Sequence, residues 1–327
     1  MIPATPLPAD VAVAPKFAAF DVVDINYKEV NGVQIPASVL VPKNIKPGKH
    51  PLLVRWHGGC LIAGHRMYPD WFPTWIIDLA ASRDAIIITP DYRLMPEITG
   101  LEILDDVRDF YTWLFQPQAL ASYLPEGVSV DTTNILVTGE SAGGWLALQS
   151  ALLPTSAPKV AAVIAQYPMI DMRDRWYTED YEKQIFSPPA PQLDRAVLQE
   201  YLKTMEKGKT ITSAVPPERT QLVLSSLQQG MYGSWLGEDR KLYPIEALEG
   251  VERLPPVWVL HGKGDTIIPA EGSYRFEKAV REQVKGVELH VTYVEGDHGF
   301  DGAEGIGLET DWVREGVEFV GRYWPQQ

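Results

Sequence analysis

Residues 139–143 read Gly-Glu-Ser-Ala-Gly, a serine with a glycine two positions to either side, after the apolar run Ile135–Thr138 and before a helical stretch that starts near Gly143. A serine at the tip of a sharp strand-to-helix turn needs those glycines, because side chains there would collide with neighbouring backbone, and the turn then exposes its Oγ. A tight turn with a capping serine fits the same five residues, so the partners decide. A serine hydroxyl is a poor nucleophile near neutral pH and needs a base that is itself oriented by an acid. Among the six histidines, His290 falls within a strand run, His50 precedes one, and His57, His65 and His261 fall in loops or at strand ends. His298, in "GDHGF", falls on a Gly- and Asp-rich loop beyond the last strand run. Asp265, in "HGKGD", follows the seventh strand run after a short glycine-containing loop. An Asx turn or a helix cap also accounts for an aspartate there. Asp297 and Asp301 are rivals that stand too near His298 in the chain to reach its ring easily. Ser141, His298 and Asp265 therefore supply a nucleophile, its base and an orienting acid for acyl transfer, in the chain order Ser…Asp…His.

Acyl transfer passes through a tetrahedral oxyanion, which backbone N–H donors stabilise. The N–H of Ala142, directly after the nucleophile, is one candidate donor. "RWHGGC" (55–60) reads as a strand ending in a loop that brings backbone close to something negative, and Gly59 and Cys60 supply the other candidates. A backbone donor needs no particular side chain, so a cysteine serves there if its backbone conformation suits a non-glycine residue. Candidates for pocket walls are Leu61, Tyr68, Trp71 and Trp75 after this loop, Trp176 and Trp235 further on, and Phe300 beside the base. Each large aromatic among them is also accounted for by plain packing.

The elements that must hold these residues follow from hydrophobic period. Short, β-branched runs at Val22–Tyr27, Ile35–Val41, Leu52–Trp56, Ala85–Thr89, Ile135–Thr138, Ala161–Ala165, Val257–Leu260 and Val287–Val294 predict eight strands. Helical patterns cover Leu101–Phe115, Gly144–Leu152, Ser273–Glu282 and Leu308–Tyr323. The first strands follow one another and suit antiparallel pairing; the later ones alternate with helices, which demands a largely parallel sheet covered on both faces, an α/β class. From Asp171 to about Gly250 the alternation stops. Helical pieces (Asp194–Met205, Glu218–Leu227), proline pairs and aromatic residues fill that stretch, which predicts a lid or small subdomain.

With 327 residues, 45% of them hydrophobic, one large domain is the default. A net charge of −14 argues against nucleic acid or an anionic membrane as partner. No stretch reaches the length of a membrane span and the N-terminus lacks the pattern of a signal peptide. The single cysteine excludes an intrachain disulfide. A soluble, cytoplasmic protein is expected, with a homodimer left open.

Four motifs in order carry a resemblance. "HGGC" stands where the hormone-sensitive-lipase-like group of α/β-hydrolases has H-G-G-G, "DYRLMPE" (91–97) resembles its D-Y-R-L-A-P-E, "GESAGG" is similar to its G-D-S-A-G-G, and "DHGF" surrounds His298. "YPMID" (167–171) and "HGKGD" add to it, and the likeness runs from about residue 35 to 323. It implies an α/β-hydrolase fold and hydrolysis of small-molecule carboxylic esters without metal or cofactor; a site closed over by the inserted stretch holds limited volume, which restricts the acyl group to short or medium chains. It also implies a cap formed by residues 1–20 and about 171–250, with the core in two parts, 21–170 and 251–327. Cys60 departs from the family's third glycine, and the cap has no pattern that matches a substrate. Two alternatives stay open: an acyltransferase, thioesterase or lactone-forming enzyme using the same three residues, and a ligand receptor on this fold like the plant gibberellin receptors, whose triad histidine is replaced.

Overall fold

The computed structural model describes residues 14–324; of the expected cap segment 1–20, residues 1–13 lie outside the described residues. The eight predicted strands form as β1 (Phe20–Val30), β2 (Val33–Pro42), β3 (Gly48–Trp56), β4 (Ile86–Pro90), β5 (Val128–Glu140), β6 (Val160–Gln166), β7 (Val257–Gly262) and β8 (Leu289–Val294). They make one sheet in the order β1-β2-β4-β3-β5-β6-β7-β8. β2 runs antiparallel to β1 and β4, and the remaining neighbours are parallel. Because side chains alternate across a strand, Leu52 and Val54 of β3 enter one core with Ile86 and Ile88 of β4, while Leu53 and Ile87 enter a second core on the other face. Burial on both faces is why these strands are nearly continuous apolar runs.

Helices α1 (Thr74–Ala81), α2 (Gly100–Leu114) and α3 (Ala142–Leu152) precede β6. α1 is absent from the predicted elements. Trp75, Ile76, Ile77, Leu79 and Ala80 are all buried, so its eight residues lack the polar stripe that marks a helix by period. α2 begins with a capping box in which Thr99 and Glu102 satisfy each other's backbone N–H groups.

Between β6 and β7 the chain forms α4 (Arg175–Thr178), α5 (Arg195–Thr204), α6 (Thr220–Gln228), α7 (Tyr232–Leu236) and α8 (Pro244–Ala247), with no strand among the described residues. This insertion is fastened to the sheet's C-terminal edge. Gly64 and Ala214 exchange two backbone hydrogen bonds of 2.8 Å, Leu94 N–H donates to Ile211 O at 2.8 Å, and the Arg219 guanidinium pairs with Glu97 at 2.6 Å. α9 (Glu271–Gln283) and α10 (Asp311–Gly321) complete the layers.

Candidate active site

Ser141 ends β5 and opens α3 with φ +58° and ψ −118°, a conformation that L-residues rarely adopt. Its glycine neighbours are required by contact: a Cβ on Gly139 would stand 2.1 Å from Gly143 O, and one on Gly143 2.0 Å from Trp56 O. Ser141 N–H donates to Gln166 O at 2.8 Å, which ties the turn to β6. The turn therefore holds Oγ at the floor of a cavity lined also by His298.

His298 follows β8 and donates from Nδ1 to Asp265 Oδ2 at 2.8 Å. Asp265 follows β7, with Oδ1 accepting the N–H groups of Ile267 and Ile268 at 2.9 and 2.8 Å. Burial opposes its ionisation, yet the His298 charge and the hydrogen bonds from His261 and His298 outweigh it and hold the carboxyl well below the usual carboxylate range. The structure thus brings Asp265 to His298, and His298 to the cavity that Ser141 also lines. No side chain among the described residues hydrogen-bonds Ser141 Oγ; such contacts commonly tighten only when substrate is bound. Asp297 and Asp301 serve otherwise. Asp297 accepts the His298 backbone N–H at 2.7 Å and Thr266 N–H at 2.8 Å. Asp301 accepts from Trp75 Nε1, Gln166 Nε2 and Tyr167 OH at 3.1, 2.6 and 2.9 Å. Tyr167 in turn sets its ring edge-on to His298, 4.7 Å between centroids.

Gly58, Gly59 and Cys60 line the same cavity as His298. Gly59, at φ +109°, admits no side chain, since its Cβ would meet Ala63 O at 2.1 Å. Cys60 has φ +57° and Leu61 φ +61°. The cysteine therefore occupies the left-handed conformation that favours glycine, and the condition set for it on sequence grounds is not met without strain. The N–H groups of Gly59, Cys60 and Ala142 have no hydrogen-bond partner among the described residues. Burial pushes the Cys60 thiol up to about 12, so it stays protonated.

A buried carboxylate that sequence reasoning left as a motif spacer ties the two loops together. Glu140 accepts Gly58 N–H at 2.8 Å and takes the Arg55 fork, with Nε at 3.2 Å and the second contact through Nη2. Burial pushes its carboxyl up to about 7 against the pull of Arg55 and the Gly58 N–H. Behind the loop, His57 stacks on Tyr92 at 4.4 Å, and Tyr92 OH donates to His57 O at 2.9 Å. Burial lowers His57 to about 4, so it is neutral. The "DYRLMPE" residues act as braces: Asp91 pairs with Arg66, Arg93 with Asp106 and Glu97 with Arg219.

The cavity measures about 320 Å³. Ile185, Phe186, Val223, Leu224 and Leu227 from the insertion form much of its apolar wall, with Ile267 after β7 and Trp71 after the glycine loop. Of the predicted wall residues, Trp71 lines the cavity and the other six do not. Leu61 is buried and its carbonyl accepts Met95 N–H at 2.8 Å. Tyr68 reaches Asp70 at 3.1 Å, and Trp75 holds Asp301. Trp176 supports the wall from behind by donating to Ile267 O at 2.9 Å. Trp235 packs against the core, and Phe300 lies between Tyr167 and Trp312. Lys16, from the N-terminal segment, donates to Phe72 O at 2.9 Å beside the cavity's Trp71 edge. Among the described residues no group of three or more His, Cys, Asp or Glu could hold a metal ion, and no helix is long and apolar enough to cross a membrane.

A family model described as alpha/beta hydrolase fold matches residues 53–301. The chain is 34% identical, over 94% of its length and 98% of the relative's, to the "Probable carboxylesterase M8" of Phoma sp.. It is 28% identical, over 92% of its length, to a segment making up 15% of the non-reducing polyketide synthase Preu6 of Preussia isomera. Among solved structures, Thermogutta terrifontis esterase 2 phosphonylated by sarin superposes with a TM-score of 0.59, covering 94% of this chain and 95% of that one at 20% identity, a likeness of fold.

Proposed function

The chain belongs to the hormone-sensitive-lipase-like family of α/β hydrolases, and from that premise we propose that it is a serine carboxylesterase acting through an acyl-enzyme on Ser141. The observation that carries this is the presence of Ser141 and His298 on one small apolar cavity, with Asp265 hydrogen-bonded to the imidazole. His298 Nε2 takes the Ser141 proton as Oγ bonds to the ester carbonyl carbon. The oxyanion forms against the N–H groups of Gly59, Cys60 and Ala142, worth about 3–4 kcal/mol for a donor of this kind. Collapse breaks the ester C–O bond and the alcohol leaves with the proton from His298. Water then attacks the acyl carbon, His298 takes its proton, and the carboxylic acid departs as Ser141 regains its hydrogen. Asp265 keeps the imidazole in the Nδ1–H tautomer throughout.

Residues 171–250 serve as the cap. A cavity of about 320 Å³ stands near the lower end of ligand pockets, which fits acyl chains of short to medium length. The decisive experiment is Ser141→Ala with fluorophosphonate labelling. The variant should lose activity by at least ~10⁴-fold while remaining folded, and the reagent should add one mass label, on Ser141, in the wild type alone. Labelling elsewhere with activity retained in the variant overturns the proposal.

A second reading has its own observation. The match along nearly the whole chain to part of a polyketide synthase favours an acyl thioester or a lactone of a biosynthetic pathway as substrate for the same acyl-enzyme. A panel of esters, lactones and thioesters with products identified by mass spectrometry separates the two.

A further inference from the structure

His261 is a buried histidine that the mechanism leaves unused, and it faces the same carboxylate as the base. It ends β7, fully buried, with Nε2 3.2 Å from Asp265 Oδ2 and 2.9 Å from Ile268 O. Both neighbours of Nε2 are acceptors, so Nε2 carries a hydrogen. Nδ1 lies 2.7 Å from Ser273 Oγ, on the buried first turn of α9, and there it accepts the hydroxyl proton. One carboxylate oxygen thus faces two ring N–H groups, from His298 at 2.8 Å and from His261 at 3.2 Å.

We propose that His261 is a positioning residue of the reaction: by sharing Asp265 Oδ2 it draws off part of that carboxylate's charge and so sets how far into acid His298 still works as a base. The inference rests on the Ser141–His298–Asp265 reading. Its logic is electrostatic rather than steric, because Asp265 Oδ1 is held independently by two backbone N–H groups. Without His261 the carboxylate keeps its place but presents more charge to His298, which favours the protonated imidazole. The other ionisable groups around this pair stay in place. Asp301 and Tyr167 stand near His298, Asp297 holds its backbone N–H, and Cys60 and Tyr177 stand near Asp265. Besides His298, His261 is the group that sets a ring nitrogen within 3.2 Å of Asp265 Oδ2, its N–H lying between that oxygen and Ile268 O.

The test is the pH profile of kcat/KM in His261→Leu and His261→Gln, with folding checked by circular dichroism. The leucine variant should move the acid limb upward by about half to one pH unit, a loss of about three- to tenfold on the limb, while the plateau above pH 8 falls by less than about threefold. Glutamine, whose amide nitrogen reaches the place of ring Nε2 and can donate there, should bring the limb back to within about 0.2 pH unit of wild type. A loss equal at all pH values, or a limb that does not move, overturns the proposal. Should neither variant fold, the wild-type ring decides: ¹⁵N-histidine spectra must show His261 protonated at Nε2, and a hydrogen on Nδ1 alone removes the donor and the proposal with it. Failure here is distinct from failure of the triad, which would appear as activity surviving Ser141→Ala.

Discussion

Leu227→Ala asks whether the acyl chain lies against the α6 wall. Leu227 is 1% exposed and lines the cavity on the insertion side. Truncation removes three carbons, roughly three water-sized volumes or about 90 Å³, and so enlarges the 320 Å³ cavity by about a quarter. Each methylene buried stabilises the transition state by about 0.8 kcal/mol, close to fourfold in kcat/KM, until the wall is met. The wild type should therefore rise about fourfold per carbon along a p-nitrophenyl ester series, peak between about C4 and C8, and fall. The variant's peak should lie two to three carbons further on. Removing a packed leucine side chain costs about 2–5 kcal/mol, a fall in Tm of roughly 3–7 °C in a domain of this size, so rates belong at 20 °C with folding verified. Trp176→Ala and Trp235→Ala, whose rings do not line the cavity, should leave the peak where it is. An unmoved peak in a folded Leu227→Ala places the acyl chain toward Trp71 and Gly302 instead, and a series rising without limit removes the closed pocket altogether.

Cys60→Gly should keep most activity and relieve about 1 kcal/mol of left-handed strain, whereas Cys60→Pro, which removes the proposed oxyanion donor and cannot adopt the φ of +57° found here, should cost at least ~10²-fold in kcat; mild thiol reagents should not inactivate the wild type, because the thiol is pushed up to about 12. Equal damage from glycine and proline would assign a role to the sulfur itself. Glu140→Ala leaves the buried Arg55 uncompensated and should cost about 3–5 kcal/mol, seen as a lower Tm, with kcat falling more than KM rises because Gly58 N–H loses its acceptor. His57, held at about 4 in the fold against about 6.5 unfolded, favours the folded state fully above pH 6.5. That contribution, about 3 kcal/mol, is lost as pH falls to about 4, so the Tm difference between wild type and His57→Phe should narrow over that window. A constant difference would show that His57 does not titrate with unfolding.

The proposed catalytic residues were legible because their geometry is imposed by local sequence. A serine in a strained turn requires Gly139 and Gly143 by direct contact, and the loops after β7 and β8 are marked by Gly and Asp residues that no strand or helix would choose. The inner strands were legible because both their faces are buried, as in β4, β6 and β7, and the outer β1 and β8 by their β-branched, alternating runs. The wall of the cavity carried no such mark. Ile185, Val223, Leu224 and Leu227 are ordinary apolar residues whose placement depends on how α6 docks, and that docking is decided at a distance by pairs such as Arg219 with Glu97. Bulk misled in their place: Trp75, Trp176 and Trp235 look like walls on size, yet their polar edges or their area are spent on support, Trp75 on Asp301 and Trp176 on Ile267 O. Glu140 escaped notice because its partner, Arg55, lies on another strand. A carboxylate next to a nucleophile has no meaning until the sheet register sets β3 beside β5 and places Arg55 opposite Thr138. The shape of the cavity is thus set by long-range packing laid over a locally encoded arrangement of Ser141, His298 and Asp265. Substitutions along α6 should accordingly redirect specificity without disturbing the Ser141–His298–Asp265 arrangement.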